Sequence, residues 1–124
     1  MPPRQHNFVI IAHRGDSSAA PENTTPAFDL ALAQGFRHFE TDCQLSADGV
    51  PVVLHDETLG RVNDGSGPAA AATLQQLQQL DAGSWFGPQF AGTRIPTLQE
   101  VLVKYRGRVH LHLVSQQQCC QPAV

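Results

Sequence analysis

Glu40 and Asp42 stand two positions apart in "FRHFETDCQL", residues 36–45, where apolar and polar residues alternate. In an extended chain that spacing aims both carboxylates at one face. Two acids on one face repel, and burying them unpaired is costly, but a divalent cation such as Mg²⁺ or Ca²⁺ binds oxygen ligands and removes the penalty. Two other stretches hold complementary chemistry: His13 and Arg14 in "AHRG", and His55 in "LHDE". Imidazoles take and return protons near neutral pH, and a guanidinium presents a fork suited to phosphate. Divalent cation, two imidazoles and one guanidinium together suit phosphoester chemistry.

The elements that must position these groups follow from the pattern. "FVIIA", residues 8–12, is β-branched and apolar and reads as a buried strand with His13 and Arg14 at its C-terminal tip. "PENTTPAFDLALAQG" predicts a helix with Thr25 as N-cap, Pro26 at the first helical position, an apolar stripe through Phe28, Leu30 and Leu32, and Gly35 as its stop. "FRHFETD" is the next strand. His13 and Glu40 are 27 positions apart, close to the ~30 residues of a βαβ unit, so the two strands are expected to be parallel with adjacent tips.

Asp42 and His55 are only 13 positions apart, too few for a helical crossover. Asp48-Gly49 signals a two-residue type I′ hairpin, which would pair Gln44 with Val53 and Asp42 with His55 and set His55 beside the acids. Residues 56–96 read as loop with one weak helix at "TLQQLQQLDAG" and an aromatic cluster of Trp85, Phe86 and Phe90. "PTLQEVLVKY" predicts a further helix that buries Leu98, Val101 and Leu102, and "RVHLHLV" a third parallel strand. His110 and His112 read as one polar face of that strand rather than a zinc site. "SQQQCCQPAV" then changes character abruptly and has no charged residue.

Composition narrows the class. The chain has 124 residues, 41% hydrophobic and 15% charged, with a formal net charge of -3, which fits one compact domain. Lys104 is its single lysine and the arginines are scattered, so a nucleic-acid partner is not expected. No apolar run approaches the roughly 20 residues of a membrane span, and His13 interrupts the N-terminus before a secretory core could form. Three cysteines, with Cys119 and Cys120 adjacent, point to a reducing, cytoplasmic setting rather than a disulfide framework. "NTT" at Asn23 would matter as a glycosylation acceptor only in a secreted chain.

"AHRGDSSAAPENTTPAF", "HFETDCQLSADGVPVVLHDETLGRVNDGSG", "LDAGSWF" and "RIPTLQEVL", in that order over about residues 9–113, resemble the glycerophosphodiester phosphodiesterase family. The resemblance implies α/β architecture: a (β/α)8 TIM barrel, here incomplete, with about three barrel strands, a β-hairpin extension and the family's small insertion between Asp56 and Pro96. It implies hydrolysis of a small-molecule glycerophosphodiester to an alcohol and sn-glycerol 3-phosphate with Mg²⁺ or Ca²⁺. Carried over by position, His13 and His55 resemble the acid/base pair, Arg14 the phosphate contact, and Glu40 and Asp42 two of three metal ligands.

One departure stands out. The family continues its third strand with a glutamate, the third ligand, and then a lysine, whereas this chain has Val114 and Ser115 and no acid after Glu100. A whole barrel takes about 250 residues. The expectation is therefore a truncated product: residues 1–113 as the N-terminal part of the family domain, and 114–124 as a disordered tail foreign to it. The alternative function is a catalytically inactive isoform or interaction fragment. A third reading is self-association that covers the open sheet edges.

Overall fold

The computed structural model describes residues 9–115. Its framework is one mixed sheet: β1 (Ala12–His13), β2 (His38–Leu45), β3 (Pro51–Val53) and β4 (His110–Ser115). β1 and β4 flank β2 in parallel, with Ala12 opposite Phe39, His13 opposite Glu40, and His38 to Cys43 opposite His110 to Ser115. β3 returns antiparallel along β2. This is the partial parallel sheet expected of an incomplete (β/α)8 barrel, with the hairpin extension in place.

Helix α1 (Thr25–Ala33) joins β1 to β2 and buries Ala27, Phe28 and Ala31. Phe28 stacks on Phe39 of β2 with ring centroids 5.4 Å apart, and Tyr105 meets both rings edge-on. Aromatic pairs in these geometries add about 0.5–1.5 kcal/mol beyond the area they bury. Tyr105 ends α3 (Leu98–Tyr105), and its hydroxyl donates to Asp29 of α1 at 2.7 Å. A capping box, Thr97 with Glu100, starts α3. Ala12, Val53 and Val101 complete this first core.

A second core lies under the insertion, where Val52, Leu54, Leu59, Val62, Leu77 and Ile95 are buried together. Helix α2 (Leu74–Gln78), also started by a capping box, contributes Leu77. Backbone hydrogen bonds tie the insertion to the sheet: Val53 N–H reaches Pro96 O at 2.9 Å and Ala47 N–H reaches Ala72 O at 2.8 Å.

Several expectations need correction. Val9, Ile10 and Ile11 are not a buried strand; they are exposed and precede a two-residue β1, because among the described residues β1 has a partner only on its β2 side. The N-cap of α1 is Thr24 rather than Thr25, and its closest-packed stripe runs through the alanines rather than Leu30 and Leu32. Leu102 faces solvent while Tyr105 takes the inward place, one helical turn beyond Val101. Of the 114–124 segment, Val114 and Ser115 belong to β4, and residues 116–124 lie outside those described.

Candidate active site

The site forms where β1 ends against the middle of β2. After His13 the backbone turns sharply through Arg14 and Gly15, at φ 58° and 78°. A Cβ at Gly15 would lie 2.7–2.9 Å from Ala27 backbone and side-chain atoms, so only glycine lets this turn touch α1. The turn is held by Arg14 N–H to Glu40 O at 2.8 Å and Asn23 N–H to Arg14 O at 2.9 Å. Asn23 also has a left-handed backbone, φ 58°, a cost tolerated where the surroundings fix it.

The structure brings His13, Arg14, Glu40 and Asp42 together. His13 Nε2 is 3.8 Å from Glu40 Oε2. Asp42 is almost wholly buried; its Oδ2 accepts from Asn23 Nδ2 at 3.0 Å and lies 3.1 Å from Arg14 Nε. That Arg14 contact is an ion pair whose alignment falls short of a hydrogen bond, leaving the buried Nε without an acceptor among the described residues. Arg14 Nη1 donates to Glu22 Oε2 at 3.0 Å. Burial and then the neighbouring Asp42 push the Glu40 carboxyl up, and Glu40 Oε1 is buried with no hydrogen-bond partner among the described residues.

His55 arrives by a different route from the expected hairpin. Cys43 pairs with Val53, Gln44 with Val52 and Leu45 with Pro51, one residue out of the type I′ register. A type I′ turn needs positive φ at both central residues, but only Gly49 has it, at φ 81°. The result is a three-residue loop, closed by Ser46 N–H to Val50 O at 2.9 Å. Leu54, not His55, therefore lies opposite Asp42, with Leu54 N–H to Asp42 O at 3.0 Å. The strand ends at Val53, so the chain is free to turn, and His55 comes back along the β2 edge on which β1 ends. Its Nδ1 is 2.7 Å from Asp56 Oδ1.

Four participants were missed, one of them Asp56, which adjoins His55 and was given no role of its own. Glu22 and Asn23 belong to the "PEN" run before α1, which the sequence reading used only for helix placement. Arg61 lies in the loop after β3 and donates to Asp56 and Glu22 alike. Its only sequence signal is its place five residues after the "HD" pair. Asn23 is buried and its amide is engaged by both Asp42 and Thr41, a surrounding that closes the glycosylation reading.

The residues present suit a hard cation. Arg14 and Arg61 set two formal positive charges against four formal negative ones on Glu22, Glu40, Asp42 and Asp56, and Glu40 Oε1 within that set is buried without a partner among the described residues. Among the described residues no group of three or more His, Cys, Asp or Glu side chains is arranged to hold a metal ion. Register explains why: Val114 stands opposite Asp42, and His112 opposite Glu40. His112 instead meets His38, Nε2 to Nδ1 at 3.0 Å, and His110 stacks on His38 at 4.7 Å. The expected polar face is present, with His38 as its unforeseen third member.

Residues 13–115 match the model of the Glycerophosphoryl diester phosphodiesterase family. A glycerophosphodiester phosphodiesterase of Caldanaerobacter subterraneus is 52% identical over 93 residues, covering 75% of this chain and 38% of that protein. The crystal structure of a glycerophosphodiester phosphodiesterase from Agrobacterium tumefaciens superposes with a TM-score of 0.84 at 44% identity, over 86% of this chain and 46% of that one. An Oleispira antarctica phosphodiesterase, solved with the product sn-glycerol-3-phosphate, gives 0.78 at 44% identity, over 87% and 45%. The chain thus spans less than half the length of these relatives. By the match of the family model over residues 13–115, and by the likeness in sequence and fold to these relatives, the chain belongs to the glycerophosphoryl diester phosphodiesterase family.

Proposed function

We propose that this chain carries the phosphate-binding and acid/base half of a glycerophosphodiester phosphodiesterase, which converts a glycerophosphodiester and water to an alcohol and sn-glycerol 3-phosphate. The observation that carries this reading is Arg14, held between Glu22 and Asp42 at 3.0 and 3.1 Å beside the His13–Glu40 pair. A guanidinium anchored on two sides is aligned before substrate arrives, and such pre-alignment is what positions a phosphate for in-line attack.

His55 and His13 are the proton carriers. The Arg61 hydrogen bond holds the Asp56 carboxyl well below its ordinary range, at about 2. An ionised Asp56 can only accept, so neutral His55 donates from Nδ1 and keeps Nε2 open to take a proton. That proton comes from the attacking oxygen, a water or the neighbouring glycerol hydroxyl. His13, well exposed at the rim, returns one to the leaving alcohol. Glu40 and Asp42 would hold Mg²⁺ or Ca²⁺, a cation that supplies charge neutralisation at the phosphoryl oxygens. Mg²⁺ commonly takes one or two carboxylates with waters and substrate phosphate, a demand that two acids meet.

Glycerophosphocholine with Mg²⁺ or Ca²⁺ is the test substrate. Release of sn-glycerol 3-phosphate that stops with EDTA and with His55→Ala is the expected result. Turnover indifferent to both would overturn the assignment, and no turnover at any cation concentration would favour an inactive fragment. The outer edges of β1 and β4, unpaired among the described residues, with exposed Ile10, Leu113 and Val114, support self-association, which sedimentation would report as a defined dimer. No helix among the described residues is long and apolar enough to cross a membrane.

A further inference from the structure

In the chemistry above Arg61 enters only through Asp56, yet its guanidinium is forked twice. Nε donates to Asp56 Oδ2 at 2.7 Å and Nη2 to Asp56 Oδ1 at 3.2 Å. Nη1 and Nη2 also donate to Glu22 Oε1 at 3.1 Å and Oε2 at 2.8 Å. Each carboxylate leads onward to a functional group: Asp56 to His55 Nδ1 at 2.7 Å, and Glu22 to Arg14 Nη1 at 3.0 Å.

We propose that Arg61 is a positioning residue that ties His55 and Arg14 into one unit, through Asp56 on one side and Glu22 on the other. The use of that unit rests on the phosphodiesterase reading; its existence does not. Asp56 adjoins His55 in sequence and, with one anchor only, could turn about its own χ1 and release the imidazole. The bidentate Arg61 fork supplies the second anchor and fixes the carboxylate plane. Lysine would keep the charge but not the plane, since an ammonium is a point donor. Arg61 is absent from both apolar clusters and its side chain is 48% exposed, so its replacement opens no cavity in the core.

The test uses the isotopically labelled chain in solution, with neither cation nor substrate. Nitrogen chemical shifts report which ring nitrogen of neutral His55 carries the proton, and the Arg14 Nε–H signal reports whether that guanidinium is held. In the unsubstituted chain the Nδ1–H tautomer of His55 should exceed the other by roughly tenfold, the preference a charge-assisted hydrogen bond confers. Arg61→Gln should cut that excess by roughly threefold or more and broaden the Arg14 signal, with Arg61→Lys intermediate. In an Asp56→Asn background, Arg61→Gln should change Arg14 but no longer His55.

A folded Arg61→Gln chain with the original tautomer ratio and Arg14 signal would overturn the proposal. So would the loss of a folded spectrum in both Arg61 variants, which would assign the residue to stability alone. Tautomer and line shape are read without turnover, so failure of the enzymatic reading and failure of this one give different results.

Discussion

The two halves of the site differ in how fully their polar atoms are used. On the loop side all four carboxylate oxygens of Glu22 and Asp56 accept hydrogen bonds, at 2.7–3.2 Å. On the strand side Glu40 has one oxygen 3.8 Å from His13 and the other buried without a partner among the described residues, while the facing strand offers His112 and Val114. The loop half is completed by the chain's own charges. The strand half keeps negative charge that the described residues leave uncompensated, which is where the proposed cation would bind.

Asp42 is the hinge between the halves, so its loss should have the largest effect. Asp42→Ala strips Arg14 and Asn23 of a buried partner, and breaking a buried pair costs about 3–5 kcal/mol; urea unfolding should show most of that. A loss under about 1 kcal/mol would mean the halves are independent. Val114→Glu would add a third acid opposite Asp42. It should tighten Ca²⁺ or Mg²⁺ binding by roughly tenfold or more in calorimetry, as an added hard oxygen ligand does. Unchanged affinity would show that the cation does not sit against this strand pair.

Arg61→Gln probes the saturated half. Its fork holds Asp56 at about 2 against an ordinary 3.8. A lowered acid contributes stability that is present above 3.8 and lost as pH falls towards 2. Removing the fork should therefore cost about 1–2 kcal/mol at neutral pH, allowing for partial exposure, and flatten the stability profile in that window.

Glu40→Gln probes the other half with the opposite sign. A carboxyl whose folded pKa is raised favours folding when protonated, and that contribution is lost as pH rises from 4.5 through the folded value. Neutralising it should raise stability at pH 7 by roughly 0.5–1 kcal/mol while weakening cation binding, measured by thermal unfolding and calorimetry. A destabilised Glu40→Gln chain would deny the strain. The smallest effect belongs to the histidine face. Burial and then His110 and His112 lower the His38 pKa below 6.5, so stability should fall as pH drops below 6.5, when the unfolded chain takes up the proton first. His38→Gln should remove that dependence in pH-resolved unfolding.

Much of the framework was legible because it depends on local spacing. The interval from His13 to Glu40 predicted parallel neighbours, and the two residues are direct register partners. The alternation around Glu40 and Asp42 likewise gave a strand with both acids at the site. The hairpin was misread because "DG" announces a turn without saying how many residues take positive φ. Ser46 Oγ accepts from Val50 N–H at 3.0 Å and donates to Asp48 at 2.6 Å, stabilising the longer loop. Leu102 was misassigned for a related reason: helical period places a stripe only to within a residue, and the Phe28–Phe39 stack decided that Tyr105 would fill the gap.

By itself, the order of residues determined which chemistries were available and which side of β2 the acids would share, since both follow from residue type and a period of two. Only the tertiary structure decided that Arg61 would join Glu22, 39 positions away, that His55 would turn in past the end of β3, and that Glu40 would keep an unpaired oxygen. Ion pairs between distant loops leave no period along the chain. They arise when independently folded turns come within hydrogen-bond reach, where distance and angle, rather than spacing in sequence, set the energy.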